Sequence, residues 1–175
     1  MTAINAKAFA QRFEALGDYL STAEIEELLR HLPLRTVASG DALLREGDTS
    51  ESAYLLWEGT LKVTLGAGDD AIDIGSIQPG TLVGEIAFLD GGPASATVAA
   101  TSDATVLTLS RAELDTLRTA HPRIATSLLR ALCKSLAARV RGASAALDRL
   151  RGVEPAQKKG GFLEGLRTLF GLAKD

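Results

Sequence analysis

The chain has 175 residues, a net charge of −3 and 46% hydrophobic residues, which suits one domain with helical appendages and is too short for two full domains. Its one cysteine, Cys133, excludes an intramolecular disulfide and a thiolate metal cluster, and we expect a buried thiol on an apolar helix. His31 and His121 each stand beside a turn, so we expect helix-end residues and no metal site. The N-terminus lacks signal-peptide features, and no apolar stretch approaches the ~20 residues of a membrane span. We therefore expect a soluble cytoplasmic protein.

The charge is unevenly distributed along the chain. Residues 1–122 hold 8 basic and 18 acidic residues, whereas residues 123–151 hold 7 basic residues and 1 acidic residue. A basic helix can face nucleic acid, but it equally suits the solvated flank of a dimer helix or a helix that neutralises the acidic body beside it. We expect neither DNA nor a membrane as the partner.

Residues 1–33 predict N-terminal helices. Ser21 followed by Glu24 is typical of a capping box that begins a helix, and Pro33 ends that helix. Before it, four residues recur at the spacing of a buried helical face: Phe9, Phe13, Leu16 and Leu20.

Residues 34–121 predict a β-rich domain, because the hydrophobic period falls to about two and Gly-rich turns recur between short segments. Many short strands with such turns indicate an antiparallel barrel or jelly roll. Glycine supplies positive φ at these turns with little steric cost. The predicted strands are Arg35–Ala38, Ala42–Arg45, Ala53–Trp57, Thr60–Leu65, Ala71–Ile77, Thr81–Val83, Thr97–Ala100 and Thr105–Leu109.

Residues 122–151 carry the strongest helical pattern in the chain. It follows a short helix that Ser110 and Glu113 begin with a second predicted capping box, and it starts at Pro122. A helix of about 29 residues would be roughly 43 Å long. That is longer than one small β-roll covers, so we expect it to pair with its twin in a homodimer. The expected dimer contacts are Leu128, Leu132, Leu136, Val140, Ala143 and Leu147.

The remaining residues predict a linker over 152–161 and a short amphipathic helix over 162–175. Residues 162–173 could dock on the same chain, bind a partner protein or touch a membrane surface, and about twelve residues make a marginal helix in isolation. Together the elements predict an α+β fold, an antiparallel β-roll (jelly roll) flanked by N-terminal helices and a long C-terminal helix.

The most specific stretch is residues 84–98, Gly-Glu-Ile-Ala-Phe-Leu-Asp-Gly-Gly-Pro-Ala-Ser-Ala-Thr-Val. It closely resembles the phosphate-binding cassette of the cyclic nucleotide-binding domain family, which includes the catabolite activator protein and the regulatory subunits of protein kinase A. The family pattern is Gly-Glu-Leu/Ile-Ala, several residues, then Pro-Arg-Ser/Thr/Ala-Ala-Thr-Val, and the spacing matches without a gap. The likeness covers roughly residues 34–150, including the Tyr54 to Val63 hairpin. It implies a β-roll with a sensory or regulatory role.

The residue types of the cassette also indicate a binding site, independently of the resemblance. A helix that begins at Gly84-Glu85 presents backbone N–H groups and the positive end of its dipole to an anion. Glu85 can accept from a sugar hydroxyl, and in the family this glutamate binds the ribose 2′-OH. Alternatively, Glu85 caps its own turn and Ser95 only closes the loop. The predicted ligand-binding residues are Val83, Gly84, Glu85, Ile86, Ala87, Ala94, Ser95, Ala96 and Arg139.

One position departs from the family pattern. Ala94 stands where the family carries the arginine that pairs with the cyclic phosphate. Loss of a bidentate, charge-assisted contact from a partly buried site would cost ~2–4 kcal/mol, which weakens binding ~30- to 1,000-fold. Neither Lys62 nor Arg45 can be placed in the pocket as a replacement. Arg139 and Arg141 could meet a ligand from the long helix or could lie on its solvated edge.

Three functions compete. The first is a sensory domain that binds a cyclic nucleotide and transmits occupancy through its long helix, and the second is a nucleotide-free roll that serves protein interaction or dimerisation. The third is a relative of transcription regulators without a DNA-binding domain, because the residues after Arg151 are too few for a winged helix-turn-helix. The sequence shows no Ser/His/Asp or Cys/His set, no metal-ligand spacing and no Walker-type loop. We therefore expect no enzyme and no cofactor beyond the nucleotide ligand itself.

Overall fold

The computed structural model describes residues 4–151, apart from the side chains of residues 69, 143 and 145–151. The predicted linker and the segment 162–175 lie outside the described residues. The helices are α1 (Ala6–Arg12), α2 (Glu14–Gly17), α3 (Thr22–Arg30), α4 (Glu85–Asp90), α5 (Arg111–Ala120) and α6 (Pro122–Arg151). The strands are β1 (Leu34–Val37), β2 (Ala42–Leu44), β3 (Ser52–Glu58), β4 (Leu61–Leu65), β5 (Ile72–Ile77), β6 (Leu82–Val83), β7 (Thr97–Ala100) and β8 (Ala104–Ser110).

The strands form two four-stranded sheets, with the orders β1-β8-β3-β6 and β2-β7-β4-β5. Every pairing is antiparallel, as expected of a β-roll. Each predicted strand overlaps one observed strand. The predicted α+β fold, a β-roll with N-terminal helices and a long C-terminal helix, is confirmed.

Strand β3 explains how the helices attach to the roll. Successive side chains of a strand point to opposite faces of the sheet. Ala53, Leu55 and Trp57 pack into one apolar cluster with the N-terminal helices and the first half of α6. Tyr54 and Leu56 pack into a second cluster between the two sheets. The five residues are therefore all buried, and one continuous apolar run serves two cores.

Helix α6 has one face that packs on its own chain and another face that does not. Leu128 and Leu132 are 0% exposed and belong to the chain's own core. Their assignment as dimer contacts is therefore corrected, because they have no surface left to offer a second copy. Leu136 is half-buried, and Val140 is 62% exposed. The side chains of the last two predicted dimer contacts, Ala143 and Leu147, lie outside the described residues.

Two smaller expectations also need correction. Cys133 is exposed on α6 and is not a buried thiol. Ser110 caps α5 by accepting from the Glu113 N–H at 3.1 Å, but the Glu113 side chain does not close the predicted box. Its carboxylate contacts His31 Nδ1 instead, at 2.9 Å. The first box is complete, since Ser21 and Glu24 bond reciprocally.

Within residues 4–151, no helix combines the length and the apolar character that crossing a membrane requires.

Candidate functional site: the pocket at the cassette helix

The nine predicted ligand-binding residues line one pocket. They arrive from β6, from α4, from the loop before β7 and from α6. The sequence reasoning missed the pocket's apolar floor, because alternate strand residues that face a ligand look the same as alternate residues that face a core. The residues that complete the lining are Leu44, Val63, Ile77 and Val98.

Gly84 makes the sharp turn from β6 into α4. Its φ is +78°, a left-handed conformation that side chains rarely adopt. A Cβ atom at this position would also lie 3.1 Å from Leu44 Cδ1 and 3.1 Å from the Ser52 carbonyl oxygen. The close packing and the positive φ therefore both require glycine. The consequence is that the first side chain of α4, Glu85, points into the protein.

Glu85 is a fully buried carboxylate. Its side chain is 0% exposed, and its two oxygens accept no well-aligned hydrogen bond from the described residues. Arg139 Nη1 lies 3.0 Å from Glu85 Oε1, and we treat this contact as an ion pair. Burial raises the pKa of the Glu85 carboxyl above its ordinary value, and the neighbouring Arg139 guanidinium lowers it in part. The acceptor predicted for a sugar hydroxyl is thus held inside the protein by a cation of the same chain.

Arg139 closes the pocket from α6. It is 9% exposed, and its Nη2 donates to the Leu82 carbonyl oxygen at 3.1 Å. The guanidinium therefore connects Leu82 in β6 to Glu85 at the start of α4. The structure places this arginine in the pocket, whereas Arg141 is exposed on the outside of the same helix. Of the two alternatives for the basic residues of α6, the solvated edge is wrong for Arg139 and right for Arg141.

The free space left in the pocket is about 30 Å³. A buried water needs roughly 10–15 Å³ of such space, so the pocket admits a few waters at most. This space is far smaller than a nucleotide, and Arg139 on α6 is one of the side chains that narrow it.

The loop that contains Ala94 keeps its shape through main-chain contacts. The Ala94 N–H donates to the Asp48 carbonyl oxygen at 2.8 Å, and the Gly47 N–H donates to the Ala94 carbonyl oxygen at 2.9 Å. Ala94 is buried and lines the pocket. Ser95 is exposed at the rim.

Neither possible substitute for the missing arginine faces the pocket. Lys62 pairs with Asp73 at the surface, 3.0 Å apart, and Arg45 is exposed and lines a separate surface groove. Of the residues that line the pocket, Arg139 alone carries a positive charge. The site therefore has one cation, which approaches from the long helix.

Comparisons with known proteins agree with this geometry. The family model described as "Cyclic nucleotide-binding domain" matches residues 34–121. A cyclic nucleotide-gated potassium channel of Rhizobium etli is 30% identical over 109 residues, which cover 62% of this chain and 29% of the channel. A cyclic nucleotide-gated potassium channel of Mesorhizobium japonicum is 33% identical over 106 residues, covering 61% of this chain and 28% of the channel.

Among solved structures, a cyclic nucleotide-binding domain from Methylobacillus flagellatus superposes with a TM-score of 0.69 at 25% identity, covering 78% of this chain and 80% of that one. The chain thus spans less than a third of the length of the two channels it matches. It reproduces most of a separately solved domain. The cassette turn at Gly84, the inward glutamate and the family match over half of the sequence lead to one conclusion: this chain belongs to the cyclic nucleotide-binding domain family.

Proposed function

We propose that this domain is a sensor that reports the occupancy of the pocket through the position of α6. The observation that carries the proposal is the Arg139–Glu85 ion pair, which joins the long helix directly to the ligand cassette. A ligand whose hydroxyl bonds to Glu85 competes with Arg139 for the same carboxylate. Binding therefore releases the guanidinium and shifts α6 between two positions.

A cyclic nucleotide is the ligand class that the site supports best. Glu85 offers an acceptor for a sugar hydroxyl, and the apolar floor offers a surface for a base. The first turn of α4 and the N–H groups near Ser95 offer donors for a phosphate. The names of the two matched channels state that they are gated by cyclic nucleotides, which supports cyclic AMP or cyclic GMP as the first ligands to test. The role we infer is regulatory and not catalytic.

A second candidate function follows from Ala94 and from the closed pocket. A site that lacks the phosphate-binding arginine and leaves about 30 Å³ of space also suits a roll that has lost its nucleotide. In that case the Arg139–Glu85 pair is a permanent structural contact. The domain would then serve protein interaction or dimerisation, through the face of α6 on which Val140 is exposed.

The partners follow from the same reasoning. We propose a homodimer through the later part of α6, a cytoplasmic location and, as a further contact, a protein partner for residues 162–173. Among the basic residues of α6 whose side chains are described, Arg139 lies in the pocket, and the exposed ones are Arg123, Arg130, Lys134 and Arg141. The proposal includes no DNA contact.

Calorimetry with cyclic AMP, cyclic GMP and a cyclic dinucleotide tests the two functions against each other. The sensor predicts saturable binding of at least one ligand, with Ala94→Arg tightening it at least tenfold because the variant restores a bidentate phosphate contact. Ala138→Arg, an exposed position on α6 that does not line the pocket, is the matched charge control and should leave the affinity unchanged. No binding at millimolar ligand, in the parent and in Ala94→Arg, would exclude the sensor and leave the interaction module.

A further inference from the structure

The only two histidines of the chain lie beside each other, although 90 residues separate them in sequence. His31 follows the last residue of α3, and His121 follows the last residue of α5 and directly precedes α6. Their ring centroids are 6.0 Å apart, with an angle of 60° between the ring planes, so the rings do not stack. Glu27 lies one helical turn before His31 on the same face of α3. These three side chains form a cluster that the nucleotide pocket does not use.

Two distances within the cluster are close to those between the ligands of a tetrahedral metal ion. Glu27 Oε1 lies 3.5 Å from His31 Nε2 and 3.4 Å from His121 Nε2. A zinc ion bound at about 2.0–2.1 Å in tetrahedral geometry separates neighbouring ligand atoms by about 3.3 Å. The ligand atoms of all three residues lie within 4.8 Å of one another. Small side-chain rotations are therefore enough to bring them to a common ion.

Two further side chains orient the cluster. Glu113 Oε2 lies 2.9 Å from His31 Nδ1, and this carboxylate is the one that leaves the capping box of α5 open. A carboxylate on Nδ1 fixes the proton on that nitrogen and turns the lone pair of Nε2 outward, as in the histidine ligands of metal sites. Arg30 contacts the other oxygen of Glu27, Oε2, which leaves Oε1 for the histidines. The proposed ligands His31 and Glu27 thus each have a neighbouring side chain that orients them, as ligands in metal sites do.

The cluster is accessible from solvent. The side chains of Glu27, His31 and His121 are 25%, 20% and 38% exposed. An ion can therefore enter from solvent, and water can complete its coordination.

We propose that Glu27, His31 and His121 form a Zn²⁺ site with a fourth position open to water. Nitrogen and carboxylate ligands at these distances suit zinc. The ion would join α3 to the junction between α5 and α6, because His121 is the residue before Pro122. It would thus fix the start of the helix whose later part closes the nucleotide pocket. This site is independent of whether the pocket binds a nucleotide.

Calorimetry with ZnCl₂ on the chelator-treated full chain tests the proposal. All measurements use the Cys133→Ser background, since the exposed thiol could bind zinc by itself. We expect one equivalent of Zn²⁺ to bind at micromolar concentration and to raise the melting temperature. His121→Gln and Glu27→Gln should each weaken binding at least 100-fold, and Glu113→Gln should weaken it about 10- to 100-fold.

Glu26→Gln is the matched control, because Glu26 is the exposed neighbour of Glu27 on α3, and its affinity should remain within twofold of the parent. Co²⁺ provides a second readout, with the visible absorption of a tetrahedral site in the parent and its loss in His121→Gln. Circular dichroism of each variant establishes that it folds. The proposal is overturned if the parent binds no Zn²⁺, or if His121→Gln and Glu27→Gln bind it as tightly as Glu26→Gln does.

Discussion

Arg139→Met tests the ion pair that closes the pocket. The substitution keeps an unbranched apolar stem and removes the charge, which leaves the Glu85 carboxylate buried without its cation. Breaking a buried pair by removing one partner costs about 3–5 kcal/mol. Loss of the hydrogen bond to the Leu82 carbonyl adds about 1 kcal/mol at every pH. Both terms reduce the free energy of unfolding.

The pH dependence of the loss follows from the direction of the Glu85 pKa shift. Burial already raises the pKa of Glu85, and removal of Arg139 takes away the contribution that lowers it. A carboxyl with a raised pKa in the folded state retains its proton better folded than unfolded, so its contribution to stability is present at low pH and is lost as pH rises.

In Arg139→Met, the buried Glu85 can avoid an unpaired charge by taking up a proton. The resulting loss of unfolding free energy is then limited to about 1.4 kcal/mol for each pH unit above the ordinary carboxyl pKa of about 4.3. The charge-related loss should therefore be about 1 kcal/mol at pH 5 and about 3–5 kcal/mol at pH 8.

Urea denaturation of the parent and of Arg139→Met at pH 5 and pH 8 measures both values. Arg141→Met is the matched control, since Arg141 is exposed on the same helix, and it should change stability by less than about 0.5 kcal/mol at either pH. In the double variant with Glu85→Gln the difference between the two pH values should disappear, because no titrating group remains in the pocket. An Arg139→Met variant that loses the same stability at pH 5 and at pH 8, or none at all, would refute the buried pair.

Two further predictions address the dimer and the turn between β3 and β4. Val140→Asp should convert a dimer into monomers in light scattering, because Val140 is exposed on the face of α6 that does not pack on its own chain. Ala138→Asp, about 200° around the helix, is the control, and a dimer that survives Val140→Asp would show that the two copies pair through another surface. Gly59→Ala should lower the unfolding free energy by at least about 2 kcal/mol, because Gly59 has a φ of +87° and an added Cβ would lie 2.5 Å from the Asp103 carbonyl oxygen. Gly40→Ala, at a φ of +91° with open space around it, should cost less in the same denaturation experiment, and equal losses would contradict the steric part of the argument.

The sequence predicted most of the fold because its signals are local. Strand period, turn glycines and the helical pattern that begins at Pro122 each act within a few residues. The cassette was recognisable for the same reason, since Gly84 and Glu85 are neighbours and the positive φ of one aims the side chain of the other.

What the sequence could not predict depends on contacts between distant segments. The rotation of α6 about its axis decides that Arg139 enters the pocket while Arg141 faces solvent, and that Leu132 is buried while Cys133 is exposed. The spacing of the apolar residues on α6 does not reveal whether they pack on their own chain or on a second copy of it. The convergence of His31 with a helix that begins 80 residues later is likewise a product of tertiary packing.

The main-chain bonds that hold the loop at Ala94 have a consequence for how this domain can diverge. Since Asp48 and Gly47 fix the loop through backbone atoms, the uncharged side chain of Ala94 takes no part in the hydrogen bonds that shape the loop. Selection can therefore exchange the phosphate-recognising group without rebuilding the surrounding architecture. For an engineer, position 94 is a single site at which ligand preference should be adjustable on an unchanged scaffold.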